Sequence, residues 1–106
     1  MIDLSILNNK TFDIRLKDGT ELNIRKPSKE LFNDTFKMIK LIEANSEEDK
    51  IIGVLYNFLA RAFNRNTNGI KLTQQQVEDE LELDVAMYVT KEYWKFVQEV
   101  MQDINF

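Results

Sequence analysis

Carboxylates, together with Lys, Ser and Tyr, are the residues of this 106-residue chain that could support catalysis, because it contains no histidine and no cysteine. The two absences exclude zinc fingers, thiol nucleophiles and imidazole bases. One stretch of the chain contains five acidic residues and no basic residue: Glu78, Asp79, Glu80, Glu82 and Asp84. An acid–base pair needs separated pKa values, and nothing in the sequence desolvates one of these groups. We interpret the run as a solvated helix face, with a patch for a basic partner or a nucleic-acid mimic as the alternative.

Three asparagines and a glycine are spaced as in a calcium loop: Asn64, Asn66, Asn68 and Gly69. All three side chains are neutral amides, and Gln75 stands where the bidentate glutamate belongs. We therefore interpret the segment as a helix stop, since Asn and Gly tolerate left-handed backbone. No phosphate-binding loop or serine-nucleophile motif occurs either, so we expect no catalysis, metal or cofactor.

The most informative pattern is a stripe of Met87, Trp94 and Met101, spaced by seven residues near the C-terminus. Tyr88 lies on the other flank of the predicted helix that carries this stripe, and Phe106 is the last aromatic residue. Two interpretations remain open. A small bundle buries the stripe, or the stripe is a partner-binding groove or an oligomer seam, for which Trp and Met are suited.

The elements that position these residues begin with a hairpin over 11–25. Phe12, Ile14 and Leu16 alternate on one strand, and Leu22 and Ile24 alternate on the next. A three-residue loop of Lys17, Asp18 and Gly19 keeps both sets on one face. It pairs Phe12 with Ile24, Ile14 with Leu22 and Leu16 with Thr20, and it sets Arg15 opposite Glu21. The alternation of Ile2, Leu4 and Ile6 fits either a short third strand or an extended arm.

Helical periodicity and caps predict a helical part over 29–104. The expected helices are 29–44, 47–65, 74–82 and 85–104, with caps Ser28, Ser46, Thr73 and Asp84. The last two fit either separate helices or one bent helix. The main apolar face of the last helix comprises Val85, Val89, Tyr93, Phe96, Val97, Val100 and Ile104. We thus expect an α+β fold in a single domain, 1–106, with the hairpin packed on three to four helices.

The helix over 47–65 is apolar around nearly its whole circumference, which predicts a central, buried helix. Gly53 lies inside it and costs about 1 kcal/mol relative to alanine. We expect a close approach by a neighbouring element as the compensation.

The charge and the N-terminus indicate a cytosolic protein. The net charge is −4, from 14 basic and 18 acidic residues, which disfavours binding to nucleic acid. Residues 1–7 lack the pattern of a signal peptide, and no apolar run approaches the ~20 residues of a membrane span.

The layout resembles a known family in three segments. They are the hairpin KTFDIRLKDGTELNIRKPS, the helix and loop IIGVLYNFLARAFNRNTNGIKLT, and the terminal EYWKFVQEV. Together they resemble the small tail assembly chaperones of long-tailed phages and prophages of Gram-positive bacteria. The resemblance covers nearly the whole chain but includes no catalytic signature.

The resemblance implies a non-catalytic assembly factor of the host cytoplasm that is absent from the finished virion. Such a protein binds the apolar, helical tape-measure protein, keeps it soluble and helps recruit tail-tube subunits. A homo-oligomer is compatible with this function, and neither nucleic acid nor membrane is an expected partner. The alternatives are a small acidic regulatory or inhibitory phage protein, and a structural tail joining or completion protein. On the residues alone, Met87, Trp94, Met101, Tyr88 and Phe106 are the candidate partner-binding residues.

Overall fold

The computed structural model describes residues 1–3, 10–44 and 47–102, and it shows an N-terminal hairpin followed by four helices. The elements are β1 (Phe12–Arg15), β2 (Glu21–Ile24), α1 (Lys29–Glu43), α2 (Glu48–Phe63), α3 (Gln74–Glu80) and α4 (Leu83–Gln102). The predicted α+β class is confirmed. Of the proposed third strand, Ile2 is exposed and lies in no strand, whereas Leu4 and Ile6 lie outside the described residues.

The hairpin has the predicted register. Phe12 pairs with Ile24, Ile14 with Leu22 and Arg15 with Glu21. The Leu16 N–H donates to the Thr20 carbonyl over 2.8 Å, and Gly19 has a φ of 91°, so the three-residue turn is also confirmed. Leu22 and Ile24 are fully buried as a result.

The second edge of β2 pairs with the asparagine loop that follows α2. The Arg25 N–H donates to the Arg65 carbonyl over 3.0 Å, and the Thr67 N–H donates to the Asn23 carbonyl over 2.9 Å. A bridge joins Ile24 to Asn66. The loop thereby holds the hairpin against the end of α2, a contact that the sequence patterns did not predict.

α2 is the central helix, as predicted, because α1, α3, α4 and β2 all pack on it. Its burial is less complete than expected, since Ile52 and Val54 in its first half are exposed. The expected close approach at Gly53 is wrong: a Cβ atom built there would meet no atom within 4 Å.

The helix starts agree with the caps at two positions and differ at two. Ser28 caps α1, and Thr73 with Gln76 forms a capping box at α3. Glu47 occupies the N-cap position of α2 without a side-chain cap bond, and Ser46 lies outside the described residues. Asp84 is not a cap, because it lies inside the first turn of α4.

α3 and α4 are separate helices. Leu81 between them has an extended backbone, with φ −122° and ψ 121°. Its carbonyl accepts a hydrogen bond of 2.7 Å from the hydroxyl of Tyr56 on α2. This hydrogen bond from the central helix therefore stabilises the break, and the break lets α4 run in a different direction from α3.

Candidate functional site

The buried face of α4 is rotated relative to the predicted one. Its buried residues are Ala86, Thr90, Tyr93, Val97 and Val100. At 100° per residue, the centre of this face lies about 40° from the predicted centre, toward the stripe of Met87, Trp94 and Met101. Val85 is consequently exposed, contrary to prediction, and Ile104 lies outside the described residues.

The buried face includes a threonine whose hydroxyl is satisfied within the helix. The Thr90 hydroxyl donates to the Ala86 carbonyl over 2.8 Å, so it needs no water and is fully buried. Counting only large apolar residues places the face too close to Val85. The rotation brings Met87 and Trp94 to the border of the core, where both are half-buried.

Trp94 packs against two phenylalanines of α1. Its ring centroid lies 5.6 Å from that of Phe32 and 5.8 Å from that of Phe36. Phe32 is half-buried, whereas Phe36 is 46% exposed. Helix α1 thus covers part of the stripe, and Phe36 of that helix exposes its aromatic ring to the solvent.

The aromatic contact continues into a groove of about 280 Å³ between the start of α1 and the end of α4. Its lining residues are Lys26, Pro27, Ser28, Lys29, Phe32, Val97, Val100 and Met101. Met101 is 52% exposed. We call the surface formed by Phe32, Phe36, Trp94 and Met101 the aromatic seam. Trp94 and Met101 are two helical turns apart, so the seam extends about 10 Å along α4.

Two further candidate residues, Met87 and Tyr88, are not part of the aromatic seam. Tyr88 is 62% exposed and lies about 120° from Trp94 around α4. Its hydroxyl donates to the Glu92 carboxylate over 3.1 Å. Hydrogen bonds from Lys95 and then Tyr88 lower the pKa of that carboxyl. Phe106 lies outside the described residues.

Lysines border the aromatic seam. Lys26 and Lys29 line the groove, and the Lys40 Nζ lies 5.2 Å from the centroid of the Phe36 ring. Lys91 is exposed one turn before Trp94. In the described part of the chain, no ion pair involves any of these four lysines. The border is therefore locally positive although the whole chain is acidic.

A second groove of about 380 Å³ lies between α1 and α2. Val54, Met38 and Phe58 contribute apolar surface to it. Its rim is polar, because the Arg61 guanidinium forms an ion pair with Asp34 at 2.8 Å and Lys37, Asn57 and Gln74 also line the groove. This groove offers less apolar surface for a partner than the aromatic seam does.

The acidic run lies mostly in solvent, as predicted. Glu78, Asp79, Glu82 and Asp84 are exposed. Glu80 is half-buried, and its carboxylate accepts the Lys17 N–H over 2.6 Å across to the hairpin turn. Among the residues that the structure describes, no group of three or more His, Cys, Asp or Glu side chains is placed to hold a metal ion.

Phe32 and Phe36 are the seam residues that were absent from the candidates predicted from the sequence. Phe36 follows Phe32 by four residues, so the two rings share one flank of α1. That flank also carries Lys29 and Lys40, so its sequence pattern is typical of a polar, solvent-exposed helix face. An exposed aromatic residue four positions after a half-buried one was the available signal.

Comparison with protein-family models, with curated proteins and with solved structures finds no match to this chain. Within the described ranges, no helix combines the length and the apolar character that crossing a bilayer requires.

Proposed function

We propose that this chain is a phage tail assembly chaperone of the bacterial host cytoplasm. It binds the apolar, helical tape-measure protein, keeps it soluble, helps recruit tail-tube subunits and is absent from the finished virion. It acts by holding another protein and catalyses no reaction. The observation that carries the proposal is the aromatic seam, an exposed apolar surface between two helices.

The aromatic seam suits an apolar helical client. Phe36 and Met101 are each about half exposed, and the half-buried Trp94 and Phe32 connect them. Large apolar residues in a continuous surface are typical of interaction sites on small proteins. The groove of about 280 Å³ at one end of the seam offers apolar surface between α1 and α4 to the apolar face of a client helix.

Co-expression with a tape-measure fragment tests the proposal. We expect the double substitution Phe36→Ser and Met101→Ser to abolish solubilisation of the fragment. The substitution removes apolar contact area for the client and costs the folded chain little, because both side chains are already about half exposed. The measurement is the soluble fraction of the fragment, together with its co-purification with the chain.

Ile52→Ser with Val54→Ser is the matched control. These side chains are 40% and 47% exposed, and neither belongs to the aromatic seam. The control should protect the fragment as well as the wild type does. Equal loss in both double variants, or no loss in either, contradicts a role for the seam.

The exposed acids of α3 favour a second candidate, a regulatory protein that binds a basic partner. The variant Glu78→Gln, Asp79→Asn, Glu82→Gln distinguishes the two candidates. It leaves client solubility unchanged if the chain is a chaperone, and it removes partner binding if the acids are the site. Finding the chain in purified virions by mass spectrometry instead indicates a structural tail component.

A further inference from the structure

The charges beside the aromatic seam select the kind of helix that binds it. We infer that the seam accepts an amphipathic α-helix whose apolar face is bordered by Asp and Glu. The inference rests on the proposed function and adds the chemistry of the bound segment. Its basis is charge complementarity between that segment and the lysines that border the seam.

The lysines are placed to meet acids on both sides of a bound helix. Lys26 and Lys29 stand at the groove end of the seam, and Lys40 stands beside Phe36 at the other end. Lys91 lies on the α4 side, one turn from Trp94. With no ion pair to the described part of the chain, these ammonium groups are available to an external carboxylate.

The acids of α1 lie mostly elsewhere. Around the helix, Glu30 and Asp34 are more than about 100° from Phe36, and Asp34 is paired with Arg61. Glu43 shares the flank of Phe36 but is the last residue of α1, about 10 Å farther along the axis. On α4, Glu92 and Glu99 are likewise more than about 100° from Trp94 around the helix. The described charges that border the aromatic seam are therefore mainly positive, opposite in sign to the net charge of −4.

A helix fits the seam better than an extended strand does. The seam is built from side chains of two helices, α1 and α4. Strand addition needs a free backbone edge, and the seam offers none. Trp94 and Met101, two turns apart, match apolar positions i and i+7 on a partner helix.

Two synthetic peptides of about 20 residues test the inference. Both carry the same leucine face without tryptophan, and the flanking positions are Glu in one peptide and Lys in the other. Trp94 is the only tryptophan of the chain, so its fluorescence reports occupancy of the seam directly. We expect the Glu-flanked peptide to shift Trp94 emission and to bind at least about tenfold more tightly than the Lys-flanked one.

Salt separates the local charge from the net charge. If the lysines attract the peptide, raising the salt concentration weakens binding of the Glu-flanked peptide about tenfold. If the net charge of the chain dominates, salt strengthens that binding, and the inference is wrong.

Charge reversal gives the decisive comparison. Lys29→Glu with Lys40→Glu should reverse the preference, so that the Lys-flanked peptide binds more tightly. Lys50→Glu with Lys71→Glu changes the net charge equally at exposed positions outside the seam and should keep the original preference. Because the first variant gains a binding activity, loss of folding cannot imitate the expected result.

Four outcomes overturn the inference: equal binding of both peptides, no binding, binding without a change in Trp94 emission, or concentration-dependent Trp94 emission without peptide. The last outcome indicates that a second copy of the chain covers the seam. If the charge-reversal variant still solubilises the client and no peptide preference exists, the chaperone function stands and this inference fails. A clear peptide preference with no protection of the client rejects the function and keeps the binding chemistry.

Discussion

Asn66 connects the end of α2 to the loop that supports the hairpin. Its amide nitrogen donates to the Phe63 and Ile70 carbonyls over 2.9 and 2.6 Å. Its amide oxygen accepts the N–H groups of Asn68 and Ile70 over 3.0 and 3.1 Å. The side chain is buried, and these four hydrogen bonds satisfy its amide group. The calcium-like spacing of asparagines therefore has a structural use in the loop itself.

We expect Asn66→Ala to lower the free energy of unfolding by about 2–3 kcal/mol, because it leaves buried backbone groups without partners. Urea denaturation measures the change. Asn33→Ala, at an exposed position of α1, is the control and should cost less than about 0.5 kcal/mol. A loss at Asn66 as small as that of the control, or a rise in melting temperature of the wild type on adding Ca²⁺, contradicts this structural role.

The helices α2 and α3 differ in what stabilises their first turns. In α3, the Thr73 hydroxyl accepts the Gln76 N–H over 3.1 Å, and the Gln76 side chain accepts the Thr73 N–H over 2.7 Å. α2 has no side-chain cap bond at Glu47, and it also carries Gly53 in its first half. The short helix therefore depends on its cap, whereas α2 depends on packing in its second half, where Phe58, Leu59 and Phe63 are almost fully buried.

We expect Gly53→Ala to raise the free energy of unfolding by about 0.5–1 kcal/mol. Alanine favours the helix, and its Cβ would meet nothing within 4 Å. Thermal or urea denaturation measures the effect. Gly69→Ala is the matched comparison and should destabilise the chain, because Gly69 has a φ of 73°, which side chains rarely adopt. A lower free energy of unfolding for the Gly53→Ala variant would contradict this expectation and show that the folded structure requires glycine at this position.

Across the whole molecule, packing is densest around α2 and weakest at the borders that carry the aromatic seam. The core gathers residues from β2 and all four helices, with Leu55, Phe58 and Phe63 at its centre. Phe12 adds the hairpin to this core through an edge contact with the Tyr93 ring at 5.4 Å. Burial raises the pKa of Tyr93 to about 12. A chain arranged in this way can present apolar side chains at the border without loosening its centre.

We expect native-state hydrogen exchange to rank the helices accordingly. Amides in the second half of α2 should exchange only through global unfolding, because α1, α3, α4 and β2 all cover that helix. Amides of α3 should exchange through local opening, since this seven-residue helix has Val77 as its buried anchor. The measurement is residue-resolved exchange by NMR. Equal protection in both helices, or faster exchange in α2, contradicts this distribution of stability.

Much of the local structure was predictable because it depends on near neighbours in the chain. Side-chain alternation and the turn residues Lys17, Asp18 and Gly19 determine the hairpin register, since a one-residue slip would expose Leu22 and Ile24. Ser28 and Thr73 mark helix starts because a hydroxyl there accepts an amide hydrogen of its own first turn. The same local logic identified Trp94 and Met101 as apolar surface beyond the main face of the last helix.

Only the tertiary structure decided how far α4 turns, which residues of the stripe are covered, and what covers them. Thr90 can be buried because its hydroxyl is satisfied within the helix, so the buried face includes a position that a count of apolar residues leaves out. Phe36 joins the aromatic seam because α1 packs beside Trp94, and Tyr88 falls outside it for the same reason. These contacts join residues more than 50 positions apart, so chain-local patterns carry no information about them. The sequence alone thus predicted the α+β layout and a second apolar stripe whose burial it left open, and the packing of α1 against α4 covered part of that stripe and formed a groove bordered by lysines.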